Sequence, residues 1–336
     1  MSGKIATVIC LTPVKDEAWI LDRFLRCAAM WADHIIVADQ GSTDGSRAIA
    51  LQHPKVTLID NPEPAYNEGA RQKLLLAAAR QIPSDGPRVL IALDADEIFT
   101  ANRTDCGEWA SVFAAAPGTV ITFNWVNLRP DLESCWVQPE DLPLGFVDDG
   151  SDHTGIAIHS TRIPSPLGAP ILRMRALKVL HYQYTDWARM ESKQRWYQCW
   201  ERLNQPGRRA ANIYRQYHFM HAVGPDQVRP IRPEWLAAYQ QAGIDVTSVR
   251  RDGTYRWDRE ILTLLEQHGP AMFQRLDIWD VDWEDLAKQL GHHGTKITDP
   301  RSWLDKAVLN WLRATQGRHT RPWPRLCQWL LRFLGW

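Results

Sequence analysis

Residues 88–97 read RVLIALDADE, a continuous apolar run from Val89 to Leu93 that stops at a pair of aspartates. A short apolar run of this kind is typical of a strand buried on both faces of a parallel sheet. Asp94 and Asp96 are two residues apart, so in an extended chain their carboxylates point to the same face. Taken alone, such a triplet is more typical of a solvated turn that caps a helix. Its place behind a buried strand favours a binding site.

The first hundred residues alternate between strand-like and helix-like patterns. Apolar, β-branched runs predict strands over 5–11, 34–38, 56–59 and 88–93. Between them, apolar residues at helical spacing predict helices over 16–32, 46–51 and 68–81. This alternation predicts an α/β fold with a mostly parallel sheet and helices on both faces.

The regular alternation of strand-like and helix-like patterns ends at about residue 118. We expect further strands at 120–123 and 156–158, an acidic, proline-rich loop over 129–153, and a closing strand at 178–181. Helical patterns dominate the remainder, including an amphipathic one over 302–315.

Polar and mostly acidic residues follow each predicted strand of the first half. They occupy 12–17, 39–44, 60–63 and 94–97. In open α/β sheets, ligands bind beyond the carboxyl ends of the strands, so these residues are expected to share one rim. Two carboxylates about 4 Å apart repel by roughly 1 kcal/mol in water and by about 4 kcal/mol at an effective dielectric constant of 20. A divalent cation relieves that repulsion and can bridge the acids to a nucleotide diphosphate.

Composition narrows the class of protein. Hydrophobic residues make up 45% of the 336 residues, and 39 basic residues balance 39 acidic ones, which argues against a protein that coats nucleic acid. The six cysteines form no CxxC pair, so we expect reduced thiols, with neither a disulfide framework nor a zinc knuckle. The chain contains no run of 18 apolar residues, so its sequence predicts no membrane-spanning helix. We expect a cytoplasmic protein.

Three blocks of sequence carry a resemblance to a known family. They are Val14-Lys-Asp-Glu17, Val37-Ala-Asp-Gln-Gly-Ser-Thr-Asp-Gly45 and Leu93-Asp-Ala-Asp-Glu97. Each block alone is unspecific, but their combination and spacing resemble the family 2-type glycosyltransferases of the GT-A (Rossmann-like) fold. The resemblance covers about residues 4–100 and extends more weakly to about 200, through Val179-Leu-His181.

The resemblance implies a domain organisation and a reaction. Residues 1–200 would form a GT-A-like catalytic domain, with a nucleotide-binding half at 1–117 and an acceptor and metal half at 118–200. A helical C-terminal region would follow at 201–317, and a basic amphipathic tail at 318–336. The implied reaction is transfer of a sugar from a nucleotide-sugar donor, of the UDP or GDP type, to a hydroxyl acceptor on a glycan or a lipid-linked carrier.

Roles carry over from the family to matching positions. The loop from Thr12 to Glu17 would contact the nucleotide base and ribose, through Thr12, Pro13, Val14, Lys15 and Glu17. Asp39 would hydrogen-bond the base or ribose; Gln40 stands where the commonest pattern has a second acid, which leaves the base open. Asp94, followed by Ala95, would contact the ribose.

The resemblance also implies a divalent metal site. Asp96 would bind the metal, and His181 resembles the later histidine that completes the site in many GT-A enzymes, although a lone histidine is more often structural. The ion would be Mn²⁺ or Mg²⁺, and a carboxylate with an imidazole leans toward Mn²⁺.

Asn67 and Arg71 begin a predicted helix. A cation at a helix N-terminus can meet a phosphate or the nucleotide base. The alternative is a helix-capping asparagine and a solvated arginine.

An inverting transfer, as the resemblance implies, needs a base that deprotonates the acceptor hydroxyl. Residues 140–152 supply several acids, and we expect the base to be Asp149, with Asp148 next, because an apolar stretch precedes this pair and a glycine follows it. Burial and a neighbouring acid would raise a carboxyl pKa toward the working pH. The pair is equally consistent with a solvated turn.

The last residues combine arginine with tryptophan and leucine. After Asp305 the chain contains no acidic residue, and the apolar residues of 326–334 cluster on one side of a helix. This composition is typical of a helix that binds an anionic membrane surface, which would make the protein peripheral on the inner face of a membrane. The alternative is a helix that docks on the protein itself or on a second subunit.

Two other classes of function remain open. A nucleotidyltransferase also places acids on such a rim, but it usually has a glycine-rich phosphate loop after the first strand, and Thr12-Pro-Val-Lys15 contains no glycine. A non-catalytic carbohydrate-binding protein would use the 17 tryptophans instead.

Overall fold

The computed structural model describes residues 6–251, 253–291 and 296–336. Ile5 of the predicted first strand, and positions 252 and 292–295 of the predicted helical region, lie outside the described residues. The chain divides into two units. The first contains residues up to Thr185 together with Arg229–Arg250, and the second contains Asp186–Val228 and Arg251–Trp336.

Ten strands form one sheet in the first unit. They are β1 Thr7–Val14, β2 His34–Asp39, β3 Val56–Asp60, β4 Arg88–Ala92, β5 Glu97–Phe99, β6 Val120–Leu128, β7 Ser134–Val147, β8 Ile171–Arg173, β9 Val179–His181 and β10 Arg229–Pro230. The main order is β3-β2-β1-β4-β7-β6-β9-β5, with β8 paired to β6 and β10 paired to β7. Strands β3, β2, β1 and β4 are parallel, whereas β7 runs antiparallel to β4 and to β6.

Eleven α-helices lie within the described residues. They are α1 Leu21–Ala28, α2 Ser46–Ala50, α3 Glu68–Arg80, α4 Glu108–Ala114, α5 Trp187–Asn204, α6 Ala210–Tyr217, α7 Glu234–Gln241, α8 Arg256–His268, α9 Trp283–Gln289, α10 Trp303–Thr315 and α11 Pro322–Leu331. The first unit contains α1 to α4 and α7, and the second unit contains the others.

Alternate residues of the central strands pack into two cores on opposite faces of the sheet. Val8 and Cys10 of β1 face a core that includes α1 and α4, whereas Ile9 and Leu11 face a core that includes α3. The predicted α/β class, with helices on both faces of a mostly parallel sheet and a helical C-terminal region, is therefore confirmed.

Two predicted elements between 118 and 170 are wrong. Residues 134–147, expected to belong to a loop, form β7, and residues 156–158, expected to form a strand, lie in an irregular segment. Prolines argue against a central strand because they cannot donate to the ladder. Here β7 accommodates Pro139 and Pro143 through register shifts against β6, between Ile121 and Thr122 and between Asn124 and Val126.

The return of residues 229–250 to the first unit has a local explanation. β10 extends the sheet at the start of β7, pairing Arg229 with Cys135. On α7, the buried Tyr239 donates a hydrogen bond from its hydroxyl to Phe99 O at 2.8 Å. These contacts fix the segment to the first unit, beside the start of β7 and the end of β5.

In the second unit, α6 and α10 pack through small and aliphatic side chains. Ala210, Ala211 and Tyr214 meet the buried face of α10. Arg215 extends from α6 to the end of α10, where it donates hydrogen bonds to Leu312 O at 2.7 Å and to Thr315 Oγ1 at 2.6 Å. These bonds satisfy carbonyl and hydroxyl groups that a helix end otherwise exposes.

Candidate functional site

The carboxyl ends of the parallel strands lie side by side and form the predicted rim. Val14 at the end of β1 pairs with Asp39 at the end of β2, and Leu11 of β1 pairs with Ala92 at the end of β4. The chain then continues directly from β4 into the acids Asp94, Asp96 and Glu97. The adjacency follows from parallel pairing, which brings all carboxyl ends to one edge.

His181 reaches this rim through the short strand β9. β9 pairs antiparallel with β5, and Glu97 is the pairing partner of His181. One ligand atom from each of Asp96, Glu97 and His181 lies within 4.8 Å of the others, and all three residues are buried. His181 Nε2 is 3.7 Å from Asp96 Oδ2. The structure thus brings together the two residues expected to bind a metal and adds Glu97.

The imidazole of His181 is held in a defined orientation. Its Nδ1 lies 2.9 Å from Asn127 Oδ1, and because an amide oxygen only accepts, Nδ1 is the protonated nitrogen. The Trp125 ring stacks on the imidazole with centroids 4.6 Å apart. Nε2 is therefore left as a lone-pair donor on the side of Asp96, the arrangement that metal-binding histidines commonly have.

A buried arginine lies against the same acids. Arg162 Nη1 is 2.5 Å from Glu97 Oε2, and Arg162 Nη2 is 2.7 Å from Asp94 Oδ2. Its guanidinium also lies over the Trp125 ring, 5.6 Å from the centroid. Such charge-assisted, forked contacts are the strongest hydrogen bonds available to a protein and hold both carboxylates in place.

The carboxylates of Asp94 and Glu97 stabilise the charged form of Arg162. Burial disfavours the guanidinium ion, but Asp94 and Glu97 outweigh burial and hold the pKa of Arg162 above its ordinary value. Burial raises the pKa of Glu97, and Arg162 opposes that rise. Both oxygens of Glu97 accept from Arg162, and Oε2 also accepts from Asp94 N.

The donor set fits a divalent cation held by Asp96 and His181. Glu97 is bound by Arg162, which makes it a supporting residue beside these two candidate ligands. Two buried polar atoms next to His181, Asn127 Nδ2 and Trp125 Nε1, have no hydrogen-bond partner among the described residues. Unsatisfied buried donors of this kind are consistent with a ligand that supplies acceptor oxygens.

Arg162 belongs to an irregular segment that is clamped to the start of α3. Backbone amides of Glu68 and Gly69 donate to Ala157 O and Ile156 O at 2.9 and 3.0 Å. Glycines permit the contact: a Cβ on Gly155 would lie 2.5 Å from Gly69 Cα. The rim is therefore completed by residues 155–162, which pack on the start of α3, the helix that carries Arg71.

The predicted nucleotide loop lies at the end of β1. Thr12, Pro13 and Val14 are the last residues of the strand, and Thr12 is fully buried with an Oγ1 that has no partner among the described residues. After it, Glu17 N donates to Ser46 Oγ at 2.9 Å. Lys15 and Glu17 are partly exposed beside that turn. The structure brings these five residues to the rim with Asp39.

Asp39 is 1% exposed and lies within an ion-pair network. Arg47 Nη1 is 2.9 Å from Asp39 Oδ2 and 2.7 Å from Asp60 Oδ1. Gln40, which follows Asp39 in the chain, donates a hydrogen bond from Nε2 to Glu63 O at 2.7 Å. The side chains of Asp39 and Gln40 thus fix the loops that follow β2 and β3.

Asn67 and Arg71 lie at the rim end of α3. Asn67 is the N-cap of the helix and accepts a hydrogen bond from Ala70 N at 3.0 Å. It therefore has the helix-capping role that the sequence offered as the alternative to a ligand contact. Arg71 lies over the Tyr66 ring, 5.3 Å from its centroid, and 3.9 Å from Glu68. Ala95, between the two rim aspartates, is buried.

Asp148 and Asp149, one of which was expected to be the catalytic base, do not lie at this rim, and that expectation needs correction. β7 runs antiparallel to β4, so Val147 pairs with Val89 at the amino end of β4. Asp148 is bound there by Arg80 at 2.8 Å, and Asp149 is exposed. At about 3.3 Å per residue, the five residues from Val89 to Asp94 separate Asp149 from the acids by roughly 17 Å. Asp149 therefore lies in a solvated turn, as the alternative interpretation expects, whereas the Asp148 side chain is 7% exposed in its ion pair with Arg80.

Sequence reasoning missed Glu97, Arg162 and Asn127 as site residues. Glu97 was visible as the fourth residue of the acidic block, but Arg162 lies in a segment with no helical or strand period. Asn127 is one of several polar residues of β6, and only its pairing with His181 across the sheet marks it.

Comparison with known proteins finds a family match on the segment that contains Asp39, Asp94 and Asp96. Residues 10–104 match the model of the family described as "Glycosyl transferase family 2". This segment is therefore similar to the family 2-type glycosyltransferases, as the three sequence blocks indicate. No curated protein matches the chain.

Three solved structures illustrate what the chain is similar to. A mycobacterial protein matches with 20% identity and a TM-score of 0.27, covering 38% of this chain and 42% of its own. Glucosyl-3-phosphoglycerate synthase from Mycobacterium tuberculosis matches with 18% identity and a TM-score of 0.28, covering 37% and 45%. HddC from Yersinia pseudotuberculosis matches with 11% identity and a TM-score of 0.24, covering 43% and 74%. The chain thus spans less than half of the length of the first two.

Proposed function

We propose that the protein transfers a sugar from a nucleotide diphosphate donor to a hydroxyl acceptor, with a divalent cation held by Asp96 and His181. The observation that carries the proposal is the buried Asp96, Glu97 and His181 cluster at the carboxyl rim of a family 2-type sheet. Asn127 supports it by orienting the imidazole.

The charges at the rim are consistent with this ligand. Asp94, Asp96 and Glu97 would bring three negative charges close together, the last two of them buried, and Arg162 compensates one of the three. Uncompensated buried charge is strongly unfavourable, so the remaining two negative charges match a divalent cation. When bound, such a cation neutralises the diphosphate leaving group.

The chain's own residues would bind and orient the donor. Asp94, which Arg162 holds, would contact the ribose, and the turn from Thr12 to Glu17 at the end of the neighbouring strand β1 would contact the base and ribose. Arg71 at the start of α3 offers a cation to a phosphate. Burial of Asp96 and His181 would strengthen their electrostatic contacts with a bound donor.

Finer features of the function form part of the same proposal. A carboxylate with an imidazole favours Mn²⁺ over Mg²⁺. A UDP- or GDP-type donor, an inverting outcome, and an acceptor on a surface glycan or glycolipid follow from the family resemblance. A lipid-linked acceptor would suit the arginine-rich, apolar surface of the second unit, which would place the protein at the inner face of a membrane.

A pair of isosteric variants tests the proposal. Asp96→Asn removes a proposed metal ligand, and Asp149→Asn makes the same chemical change at the opposite edge of the sheet. Thermal unfolding is measured with Mn²⁺ and UDP or GDP, since a ligand that binds only the native state raises the melting temperature. The wild type and Asp149→Asn should gain stability and release nucleoside diphosphate from a donor sugar, whereas Asp96→Asn should do neither. Retained ligand stabilisation in Asp96→Asn would refute the metal site.

A further inference from the structure

The outer face of α11 exposes large apolar side chains. Trp323 is 68% exposed, Leu330 is 48% exposed, and Phe333, just beyond the helix, is 68% exposed. With Leu326 they recur at three- and four-residue spacing, which places them on one side of the helix. A contiguous exposed apolar face on a folded protein marks a binding surface.

The opposite side of α11 is anchored, so the exposed face is a fixed feature of the second unit. Pro324 and Trp336 are buried, and Trp336 packs with the core of α6 and α10. Gln328 Nε2 donates to Asn212 Oδ1 of α6 at 2.9 Å. The helix therefore docks on its own unit through one face and presents the other.

Arginines flank the apolar face without acidic partners. Arg318, Arg321, Arg325 and Arg332 lie between residues 316 and 332, and none of the described carboxylates is within ion-pair distance of them. The Arg332 guanidinium lies over the Trp329 ring, 3.8 Å from its centroid, which keeps this cation beside the apolar stripe. These four unneutralised arginines next to exposed tryptophans would repel one another at a contact between two copies of this face.

A cavity opens beside the same helix. Its volume is about 350 Å³, and its lining includes Arg209, Asn212, His319, Arg325 and Trp329. Two arginines, an imidazole and amide groups are the donors that bind phosphate oxygens. The cavity is large enough for a phosphate headgroup, and Trp329 joins it to the apolar face.

We propose that this surface binds an anionic phospholipid bilayer, with α11 lying in the interface, the apolar residues in the acyl region and lipid phosphates at the arginines of the cavity. Tryptophan and leucine on one side with arginine beside them form the pattern of a helix that lies in a membrane interface. Within the described residues no helix has the length and hydropathy to cross a bilayer, so binding would be peripheral. The proposal is independent of the sugar-transfer proposal.

Co-sedimentation of the full chain with vesicles tests it. The wild type should pellet with vesicles that contain phosphatidylglycerol, should remain in the supernatant with pure phosphatidylcholine, and should be released by high salt, which screens surface charge. Failure to bind phosphatidylglycerol vesicles would overturn the proposal.

Matched variants distinguish lipid binding at this surface from attraction by positive charge in general. Arg209→Gln with Arg325→Gln removes two cavity arginines and should weaken binding about 30-fold. Arg251→Gln with Arg259→Gln removes the same charge from exposed positions elsewhere in this unit and should leave binding unchanged. Equal losses in both pairs would refute the site, because only bulk charge would then matter.

The contribution of the apolar face of α11 is tested with Trp323→Ser and Leu330→Ser, both at exposed positions. We expect loss of vesicle binding with an unchanged melting temperature and an unchanged mass by sedimentation equilibrium. If the wild type is instead a dimer that these variants convert to monomers, the face is an interface between copies and the lipid proposal is wrong.

Discussion

Arg162 and Glu97 form a buried ion pair at 2.5 Å although 65 residues separate them in the chain. The pair joins an irregular segment to the first residue of β5, directly beside the proposed metal ligands Asp96 and His181. The same guanidinium holds Asp94. One side chain therefore holds both Asp94 and Glu97.

Arg162→Met should destabilise the protein by about 3–5 kcal/mol, because it leaves the buried carboxylate of Glu97 and the partly exposed carboxylate of Asp94 without a counter-charge. Thermal or urea unfolding measures this loss. The double variant Glu97→Gln with Arg162→Met removes one of the orphaned charges and should recover part of the stability. Arg103→Met breaks a partly exposed pair with Asp33 and should cost at most about 1 kcal/mol. A similar loss in both arginine variants would contradict the argument.

Asn127→Ala should lower the affinity for Mn²⁺ about 10–100-fold, because the imidazole of His181 loses the acceptor that fixes its orientation. Isothermal titration calorimetry with Mn²⁺ alone measures the affinity. Asn127→Asp keeps an acceptor oxygen and should restore most of it. Asn124→Ala, on the same strand but bound to Asp141 and Lys178, serves as the control. An unchanged affinity in Asn127→Ala would remove the positioning role.

Gly155→Ala should detach the segment that carries Arg162 from α3, because the new Cβ would meet Gly69 Cα at 2.5 Å. Overpacking of this kind costs about 1–3 kcal/mol. Hydrogen exchange at the amides of Glu68 and Gly69 should accelerate, since both donate to this segment. Gly107→Ala adds the same methyl group where no atom lies within 4 Å and should leave exchange unchanged. Slow exchange in Gly155→Ala would show that the clamp tolerates the methyl group.

Glu108 makes stability depend on pH. Burial disfavours its charge, but hydrogen bonds from the backbone amides of Leu177, Arg175 and Ala176 outweigh burial and lower its pKa. A carboxyl group whose pKa is lower in the folded state stabilises the fold above its ordinary pKa of about 4.3, and that contribution disappears as the pH falls through the folded-state pKa.

Glu108→Gln should therefore lower the melting temperature at pH 7, and the difference from wild type should shrink on acidification below about pH 4. Scanning calorimetry across this range measures both effects. Glu234→Gln, at an exposed position on α7, is the control and should shift the melting temperature little. A difference that stays constant into acid would contradict the prediction.

The sequence by itself determined the central sheet and half of the site. Uninterrupted apolar runs alternating with helical periods specify parallel strands, and parallel strands necessarily bring their carboxyl ends to one edge. Asp39, Asp94 and Asp96 could therefore be placed together from local pattern alone. His181 joined them through the family resemblance, and the structure confirms that it lies beside Asp96.

Only the tertiary structure decided where the remaining residues lie. Nothing local shows that β7 enters the sheet antiparallel between β4 and β6, and this direction alone moves Asp149 to the opposite edge. Arg162 and Asn127 reach the site through pairings across 65 and 54 residues. Local sequence sets the period of an element, whereas strand order and direction depend on burial summed over the whole domain.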